Sequence, residues 1–199
     1  MFNLPEEVHI LNVAKNVRVK AKLIRLTRDL AATEIDGTWW NLPASRSVRK
    51  EEGDHHWLWR KIVGANHAKL TSEALAVQSA SGAIEGAIAY RIDAESRLQP
   101  GDGAVYVDRI ATAPRNRPWV LEPPKYRGIG SILLLAAVRH SYLLGLGGRV
   151  WLTSLPSERT QKFYQDRGFE VIFEDEDGMI DFELPAVAAE KWLKKRGFL

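Results

Sequence analysis

Lys125-Tyr126-Arg127-Gly128-Ile129-Gly130-Ser131 (KYRGIGS) is the most informative stretch of this sequence, because it joins a predicted strand to a predicted helix. β-Branched and aromatic residues are dense in the strand segment Ala104–Thr112, and Gly128–Gly145 has the length and the leucines of a buried helix. The glycines at 128 and 130 let the backbone approach a ligand without a Cβ in the way. A helix N-terminus offers unpaired N–H groups and a partial positive charge, to which Arg127 and Lys125 add. The stretch therefore suits a pyrophosphate, although the same glycines also fit a tight turn before a helix.

A second informative segment is Ser157–Phe169 (SERTQKFYQDRGF), which follows a predicted strand over Arg149–Leu155. Ser157 can cap a helix that runs to Arg167, where Gly168 stops it. One helix and one strand are therefore predicted between the two informative segments.

The two segments, in this order and spacing, resemble the GNAT superfamily of N-acyltransferases. The family pattern Arg/Gln-x-x-Gly-x-Gly/Ala binds the coenzyme A pyrophosphate, and Lys125-x-x-Gly128-x-Gly130 matches it with Lys at the first position. The family pattern Asn-x-x-Ala-x-x-apolar-Tyr-x-x-x-Gly-Phe is matched by Ser157–Phe169, with Ser157 and Thr160 in place of Asn and Ala. The resemblance covers roughly Ala74–Leu184. It implies an enzyme that transfers an acetyl group from acetyl-CoA to an amine by direct attack, without a metal.

The resemblance also implies roles for individual residues. The backbone of three strand residues would bind the acyl and pantetheine part of the cofactor, the glycine loop would bind its pyrophosphate, and the hydroxyl of Ser157 would replace the usual Asn contact. The cofactor-binding residues implied in this way are Ile110, Ala111, Thr112, Lys125, Arg127, Gly128, Ile129, Gly130, Ser131 and Ser157. Tyr164 stands where family members donate a proton to the departing sulfur, the alternative being a tyrosine that packs on the sheet. The general base is left open, with Asp108 first in line and Glu85 second. Asp108 shares strand parity with Ile110, but a strand aspartate also often pairs with a neighbour such as Arg91.

One segment departs from the family pattern. After Thr112-Ala113-Pro114, the residues Arg115–Pro124 (RNRPWVLEPP) form an apparent insertion. The four prolines between positions 114 and 124 predict an extended, stiff segment rather than a helix. Trp119 and Val120 are predicted either to pack in the core or to form a lip over the acceptor site.

The rest of the chain predicts a mixed sheet with helices on its faces. A hairpin is expected over Ala74–Gln78 and Ala83–Ile92, and strands are expected over Phe169–Glu174 and Met179–Leu184. Lys20–Thr27 is predicted as a strand, with a helix over Val17–Leu30 as the alternative. Asp54 is predicted as the N-cap of a helix over His55–Asn66, and Ala186–Arg196 is predicted as a terminal helix. The fold class is therefore α/β (α+β). The resemblance implies a mostly antiparallel sheet with splayed central strands. We expect one domain over 1–199, with an amino-terminal region (1–70), a cofactor-binding core (74–184) and a carboxy-terminal helix (185–199).

Composition narrows the classes of function. Hydrophobic residues make up 45 % of the 199, and no cysteine is present for disulfides or thiolate metal sites. A net charge of +3, spread along the chain, argues against nucleic acid, which stays a minor alternative through Arg46–Lys50 and Arg115–Arg117. Glu6 and Glu7 do not fit a signal peptide and no apolar run could span a bilayer, so a cytoplasmic location is expected.

Several other residues have plainer explanations than a ligand site. No metal site is predicted, because the adjacent His55 and His56 project from different sides of a helix. The tryptophans at 39, 40, 57 and 59 are expected to anchor the amino-terminal helices, with an acceptor pocket as the alternative, and Asp36-Gly37 is a turn signal. The expected partners are a small-molecule amine or a peptide or protein amine, and a second copy of the chain joined through a sheet edge or the terminal helix. The alternative function is a non-catalytic acetyl-CoA-binding sensor or scaffold.

Overall fold

The fold is known from a computed structural model, which describes residues 4–41, 43–67 and 71–199. Its strands are β1 (Glu6–Asn12), β2 (Val17–Arg25), β3 (Ser72–Ser79), β4 (Ile84–Glu95), β5 (Gly103–Thr112), β6 (Tyr126–Arg127), β7 (Val150–Ser154), β8 (Glu170–Glu174) and β9 (Ile180–Leu184). Its α-helices are α1 (Arg28–Leu30), α2 (Pro43–Val48), α3 (Trp59–His67), α4 (Ile129–Leu143), α5 (Glu158–Gln165) and α6 (Ala186–Lys195). A π-helical turn follows α1 over Ala31–Asp36, and 3₁₀ turns lie at Arg49–Glu51 and Pro114–Asn116.

The strands form one mixed sheet in the order β6-β1-β2-β3-β4-β5-β7-β9-β8. β1 pairs antiparallel with β2 and β6, β2 with β3, and β9 with β7 and β8. β5 and β7 are parallel and pair over three residues, from Val105–Val150 to Val107–Leu152, after which β5 continues to Thr112. The predicted α/β class and mostly antiparallel sheet are confirmed.

Most predicted elements are found near their predicted positions. The hairpin turns at 80–83, the helix after the glycine loop runs over Ile129–Leu143, and the terminal helix over Ala186–Lys195. Val17–Arg25 is a strand, so the helical alternative for this region is wrong. Strand β1 had no counterpart in the sequence-based prediction. Its burial alternates from Glu6 to Ile10, but a half-buried position is filled by the charged Glu6, so the polar and apolar residues do not alternate in the same way.

The predicted helix over His55–Asn66 begins later than expected. α3 starts at Trp59, and its first N–H groups are capped from a distance: the carboxylate of Asp36 accepts from the N–H of Trp59 at 2.8 Å and of Arg60 at 3.2 Å. Asp54, predicted as the N-cap, is instead buried in an ion pair with Arg117. Asp36 is therefore more than a turn residue, since it supplies the cap that Asp54 was expected to supply.

By internal contacts, the chain divides into two compact units. The amino-terminal unit comprises Asn3–Ala89 with Arg109–Leu134, and the carboxy-terminal unit contains Tyr90–Asp108 with Leu135–Leu199. The core of the amino-terminal unit contains Trp39, Trp40 and Trp59, with Trp57 packed against it, which confirms the anchoring role predicted for the tryptophans. The indole of Trp39 also donates to the carbonyl of Ile84 at 3.1 Å, which ties it to β4.

The carboxy-terminal unit has its own buried contacts. Tyr90 on β4 hydrogen-bonds His140 on α4 at 3.0 Å. The fully buried carboxylate of Glu183 accepts from the hydroxyl of Ser96 and from the N–H groups of Arg97 and Leu98. Among the residues that the structure describes, no helix is both long and apolar enough to cross a membrane.

Candidate active site

The glycine loop lies between a short strand and a long helix, as the sequence predicts. Gly128 has φ = +91° and accepts from the N–H of Ile132 at 3.1 Å, which closes the first turn of α4. A Cβ built at Gly128 would meet no atom within 4 Å, so the space beside Gly128 is open. The first N–H groups of a helix have no partner inside the helix, and they carry its partial positive charge. Lys125 and Arg127, both exposed, directly precede Gly128 in the sequence.

The start of α4 lies against β5 across a small residue. A Cβ added at Gly86 would come within 2.5 Å of Cγ2 of Ile129 and within 3.1 Å of the carbonyl oxygen of Ala111. Two of the predicted cofactor residues, Ala111 and Ile129, therefore meet at one point of β4. A glycine inside a strand often marks a place where another segment approaches closely. The position of Gly86 within a predicted strand was therefore the one feature of the sequence that could have indicated this contact.

Near the end of β5, the backbone groups of Ile110 and Thr112 face the edge of the strand that is not paired with β4. The N–H of Ala113 donates to the carbonyl of Glu85 on β4 at 2.9 Å. Because backbone groups alternate between the two edges of a strand, those of Ile110 and Thr112 point away from β4. The carbonyl of Thr112 already accepts two hydrogen bonds from Arg117, from Nε at 3.0 Å and Nη2 at 2.8 Å.

Arg117 is part of a buried ion cluster that the sequence did not reveal. Its guanidinium is 6 % exposed, and it binds Asp54 through two hydrogen bonds and Glu52 through a third. Burial alone would lower the pKa of Arg117, but the hydrogen bonds and charges of Asp54 and Glu52 raise it above its ordinary value. The guanidinium is therefore charged at any physiological pH. It also lies over the ring of Trp40, 5.3 Å from the centroid.

The insertion Arg115–Pro124 is thus folded inward at its start. It opens with the 3₁₀ turn Pro114–Asn116 rather than a fully extended chain, and Asn116 and Arg117 are buried. Trp119 is 43 % exposed and its indole N–H donates to Glu52, so the prediction of a core position for Trp119 is wrong.

Glu85, the second candidate for the base, is fully buried on β4. Its Oε2 accepts from Nε of Arg115 and from Nδ2 of Asn116, each at 2.9 Å. Its Oε1 is buried without a hydrogen-bond partner. One oxygen of this carboxylate is committed to structural contacts, and no solvent reaches the side chain.

The carboxy-terminal unit contains the three remaining candidates, Asp108, Ser157 and Tyr164. Asp108 is half-buried and directly follows Val107, the last residue of β5 that pairs with β7. Its Oδ2 lies 3.7 Å from Nε of Arg91. Ser157 is at the N-cap position of α5, but its side chain makes no capping hydrogen bond. The structure thus collects nine of the cofactor residues in the amino-terminal unit, and Ser157 with both catalytic candidates in the other.

Tyr164 is a buried residue at the last turn of α5. Its ring packs against Phe169 and Phe182, with centroid distances of 5.6 and 5.7 Å. Burial raises the pKa of Tyr164 above its ordinary value, and the positive charge of Arg167 opposes this shift only in part. The phenol is therefore neutral and a hydrogen-bond donor at physiological pH.

Metal ligands are not grouped in the part of the chain described by the structure. No three His, Asp or Glu side chains there approach closely enough to hold an ion. His55 and His56 meet edge to face with ring centroids 5.4 Å apart, and Nδ1 of His55 lies 2.6 Å from the carbonyl of Glu52.

Solved acetyltransferase structures share this fold. A spermidine N-acetyltransferase chimera from Vibrio cholerae and hSSAT has a TM-score of 0.57 at 14 % identity, over 85 % of this chain and 98 % of that one. The GNAT domain of PAT from S. lividans has a TM-score of 0.56 at 15 % identity, over 92 % and 98 %. A probable GNAT-family acetyltransferase from Chromobacterium violaceum has 0.53 at 14 %, over 85 % and 90 %. No protein-family model and no curated protein matches the sequence. The architecture and these similarities together show that the chain has the fold of the GNAT acetyltransferases.

Proposed function

We propose that this protein is an acyltransferase that moves an acetyl group from acetyl-CoA to an amine. The observation that carries the proposal is the start of α4: a left-handed, exposed Gly128 directly before the helix N-terminus, next to the end of β5. A backbone anion site of this kind suits the pyrophosphate of coenzyme A. Because the chain has the fold of the GNAT acetyltransferases, we choose coenzyme A as the ligand of this site over other phosphate-containing ligands.

The residues of the amino-terminal unit fit this substrate. The N–H groups of Ile129 and Gly130, with the charges of Lys125 and Arg127, are assigned to the pyrophosphate, and Ser131 completes the turn. The outward backbone groups of Ile110 and the N–H of Thr112 are assigned to the pantetheine amides, while the carbonyl of Ala111 lies toward β4. Ser157 is assigned a further polar contact through its hydroxyl.

The chemistry needs a base for the acceptor and a donor for the leaving group. The amine nitrogen attacks the thioester carbonyl, the carbon–sulfur bond breaks, and the thiolate takes a proton. We assign Asp108 as the base, supported by its half-exposed carboxylate beside Arg91. We assign Tyr164 as the donor to sulfur, supported by the Tyr-x-x-x-Gly-Phe pattern and by a pKa that keeps the phenol protonated.

The acceptor belongs to the amines, either a small molecule or a peptide or protein amine. The spermidine acetyltransferase among the similar structures supports a small-molecule amine as the first class to screen. Pairing of two copies through a sheet edge is supported by β8, an end strand of the sheet on which Val171 and Phe173 are 50 % and 59 % exposed. Sedimentation equilibrium of the wild type and of Phe173→Glu tests this pairing.

Calorimetric titration of acetyl-CoA into the purified protein tests the proposal, with adenosine diphosphate as the control. We expect micromolar binding that weakens strongly when the pantetheine arm is missing. Screening of acceptors then follows release of free thiol, with Tyr164→Phe expected to lower kcat and to leave the affinity for acetyl-CoA unchanged. Failure to bind acetyl-CoA at high concentration contradicts the proposal, whereas binding without turnover on any amine favours a non-catalytic sensor.

A further inference from the structure

Asn116 is a buried side chain that uses both its donor hydrogens and its carbonyl oxygen in hydrogen bonds. Its Nδ2 donates to Oε2 of Glu85 at 2.9 Å and to the carbonyl of Glu85 at 3.1 Å, and its Oδ1 accepts from the N–H of Tyr126 at 3.0 Å. A primary amide offers two donor hydrogens and one carbonyl oxygen. One side chain therefore joins β4 to the residue that enters the glycine loop.

Three further hydrogen bonds of Arg115 connect the same two regions. Arg115 donates from Nε to Oε2 of Glu85 at 2.9 Å and from Nη2 to the carbonyl of Ile84 at 2.8 Å. The carbonyl of Arg115 accepts from the N–H of Lys125 at 2.9 Å. Through Arg115 and Asn116, the buried carboxylate of Glu85 thus reaches the backbone of two successive residues, Lys125 and Tyr126, just before Gly128.

On its other side, the same short segment is held by an edge of the sheet. The N–H of Val13 donates to the carbonyl of Lys125 at 3.2 Å, and Tyr126 and Arg127 pair with Asn12 and Leu11 of β1. Leu11 and Asn12 approach from one side and Asn116 from the other, so Lys125–Arg127 has little freedom to shift.

From this arrangement we propose that Glu85, acting through Asn116, is a positioning residue that sets the glycine loop for the diphosphate of the acyl donor. The inference rests on the proposed function. Glu85 is completely buried, so it acts on the ligand only through the loop backbone. An anion site made of backbone N–H groups depends on their fixed orientation, because those groups cannot turn individually as side chains do. Displacement of Tyr126 therefore weakens recognition of the diphosphate and leaves the recognition of the rest of the donor intact.

The experiment compares acetyl-CoA with acetyl-pantetheine, which carries the same thioester without the diphosphate. The variants are Glu85→Gln, Asn116→Asp and the double variant, and the control is Glu183→Gln. Glu85 and Glu183 are both fully buried carboxylates on strands, but Glu183 binds Ser96 and the backbone at 97 and 98. The control therefore reproduces the general effect of neutralising a buried carboxylate.

We expect each single variant to raise the KM for acetyl-CoA roughly tenfold and to leave kcat/KM for acetyl-pantetheine unchanged. Glu85→Gln replaces the charge-assisted hydrogen bonds to Arg115 and Asn116 with weaker neutral ones, and Asn116→Asp removes both amide donor hydrogens. Asn116→Asp places two carboxylates face to face, whereas the double variant pairs the new carboxylate with the amide of the new glutamine. The hydrogen bond to the backbone carbonyl at position 85 stays lost in both variants. The double variant is therefore expected to recover only part of the affinity for acetyl-CoA. Glu183→Gln should leave the ratio of the two substrates as in the wild type.

Equal losses on both thioesters would show a merely structural role and overturn the inference, as would an unchanged KM for acetyl-CoA in Glu85→Gln. If Asn116→Asp does not fold, Glu85→Gln and the double variant still decide between these outcomes. A wild-type protein that does not bind coenzyme A in calorimetry refutes the proposed function itself, which separates that failure from the failure of the positioning role.

Discussion

Replacing Gly128 by aspartate tests the diphosphate site most directly. Gly128 has φ = +91°, and a Cβ there meets nothing within 4 Å. The substitution therefore does not clash with the protein itself. Its cost to folding is the left-handed backbone, about 1–2 kcal/mol for a residue with a side chain.

The cost to ligand binding is larger. A carboxylate about 4 Å from a phosphate is repelled by about 4 kcal/mol at an effective dielectric constant of about 20, and by about 1 kcal/mol if water screens it fully. Since about 1.4 kcal/mol corresponds to a tenfold change in affinity, we expect acetyl-CoA to bind Gly128→Asp roughly 5- to 1000-fold more weakly. Gly128→Ala adds the backbone strain without the charge, so it should lie between the wild type and Gly128→Asp.

Gly101 provides a matched control. It has φ = +92°, and a Cβ there also meets nothing within 4 Å. Gly101→Asp should therefore lower the thermal midpoint about as much as Gly128→Asp and leave the Kd for acetyl-CoA, measured by calorimetry, as in the wild type. An unchanged Kd for Gly128→Asp, or an equal loss for both variants, would refute the assignment of the diphosphate to α4.

Three further predictions follow from buried groups. Gly86→Ala pushes a Cβ against α4 and is expected to cost about 1–3 kcal/mol of stability and to weaken acetyl-CoA binding, measured by thermal unfolding and calorimetry. Arg117→Met leaves Asp54 buried without its partner and is expected to cost about 3–5 kcal/mol in denaturant titration, whereas adding Asp54→Asn should recover part of it. Because burial raises the pKa of Tyr164, the folded protein keeps a proton that the unfolded chain releases above about pH 10. The free energy of unfolding should therefore fall beyond that pH, by up to about 1.4 kcal/mol per pH unit for this group. Tyr164→Phe should lower the slope by this contribution and leave that of Tyr126, whose pKa is also raised.

Local chemistry explains the elements that the sequence predicted well. The hairpin around 80–83 and the loop at Gly128 depend on residues that adopt positive φ, and Gly82 and Gly128 both do so. Such requirements are met within a few residues, so they are visible in the sequence. The helix after Gly128 is equally local, because leucines and alanines fill its length.

The start of α3 shows where local chemistry is insufficient. Asp36 and Asp54 are both aspartates with capping ability, and only Asp54 stands next to the helix in sequence. Asp36 becomes the cap because the fold brings it to Trp59, 23 residues away, while Arg117 takes Asp54 from 63 residues away. The residue that caps the helix and the residue that forms the ion pair are thus both decided by contacts between segments that are distant in sequence. No pattern within 54–66 reveals these contacts.

The insertion after β5, Arg115–Pro124, is also held by partners that are distant in sequence. Four prolines predict a stiff segment, and the structure adds long-range contacts of two arginines, Arg115 and Arg117. Buried guanidinium groups are stable only with paired acceptors, and here Arg115 finds Glu85 while Arg117 finds Asp54 and the carbonyl of Thr112. The start of the insertion therefore connects two parts of the fold. The side chain of Arg115 binds Glu85 on β4, and the carbonyl of Arg115 and the side chain of Asn116 bind the backbone of Lys125 and Tyr126 before the glycine loop. A shortened insertion that lost Arg115–Arg117 would leave both carboxylates buried and unpaired, so we expect deletion of 115–117 to destabilise the protein far more than deletion within the exposed residues 121–123, with thermal unfolding as the measurement.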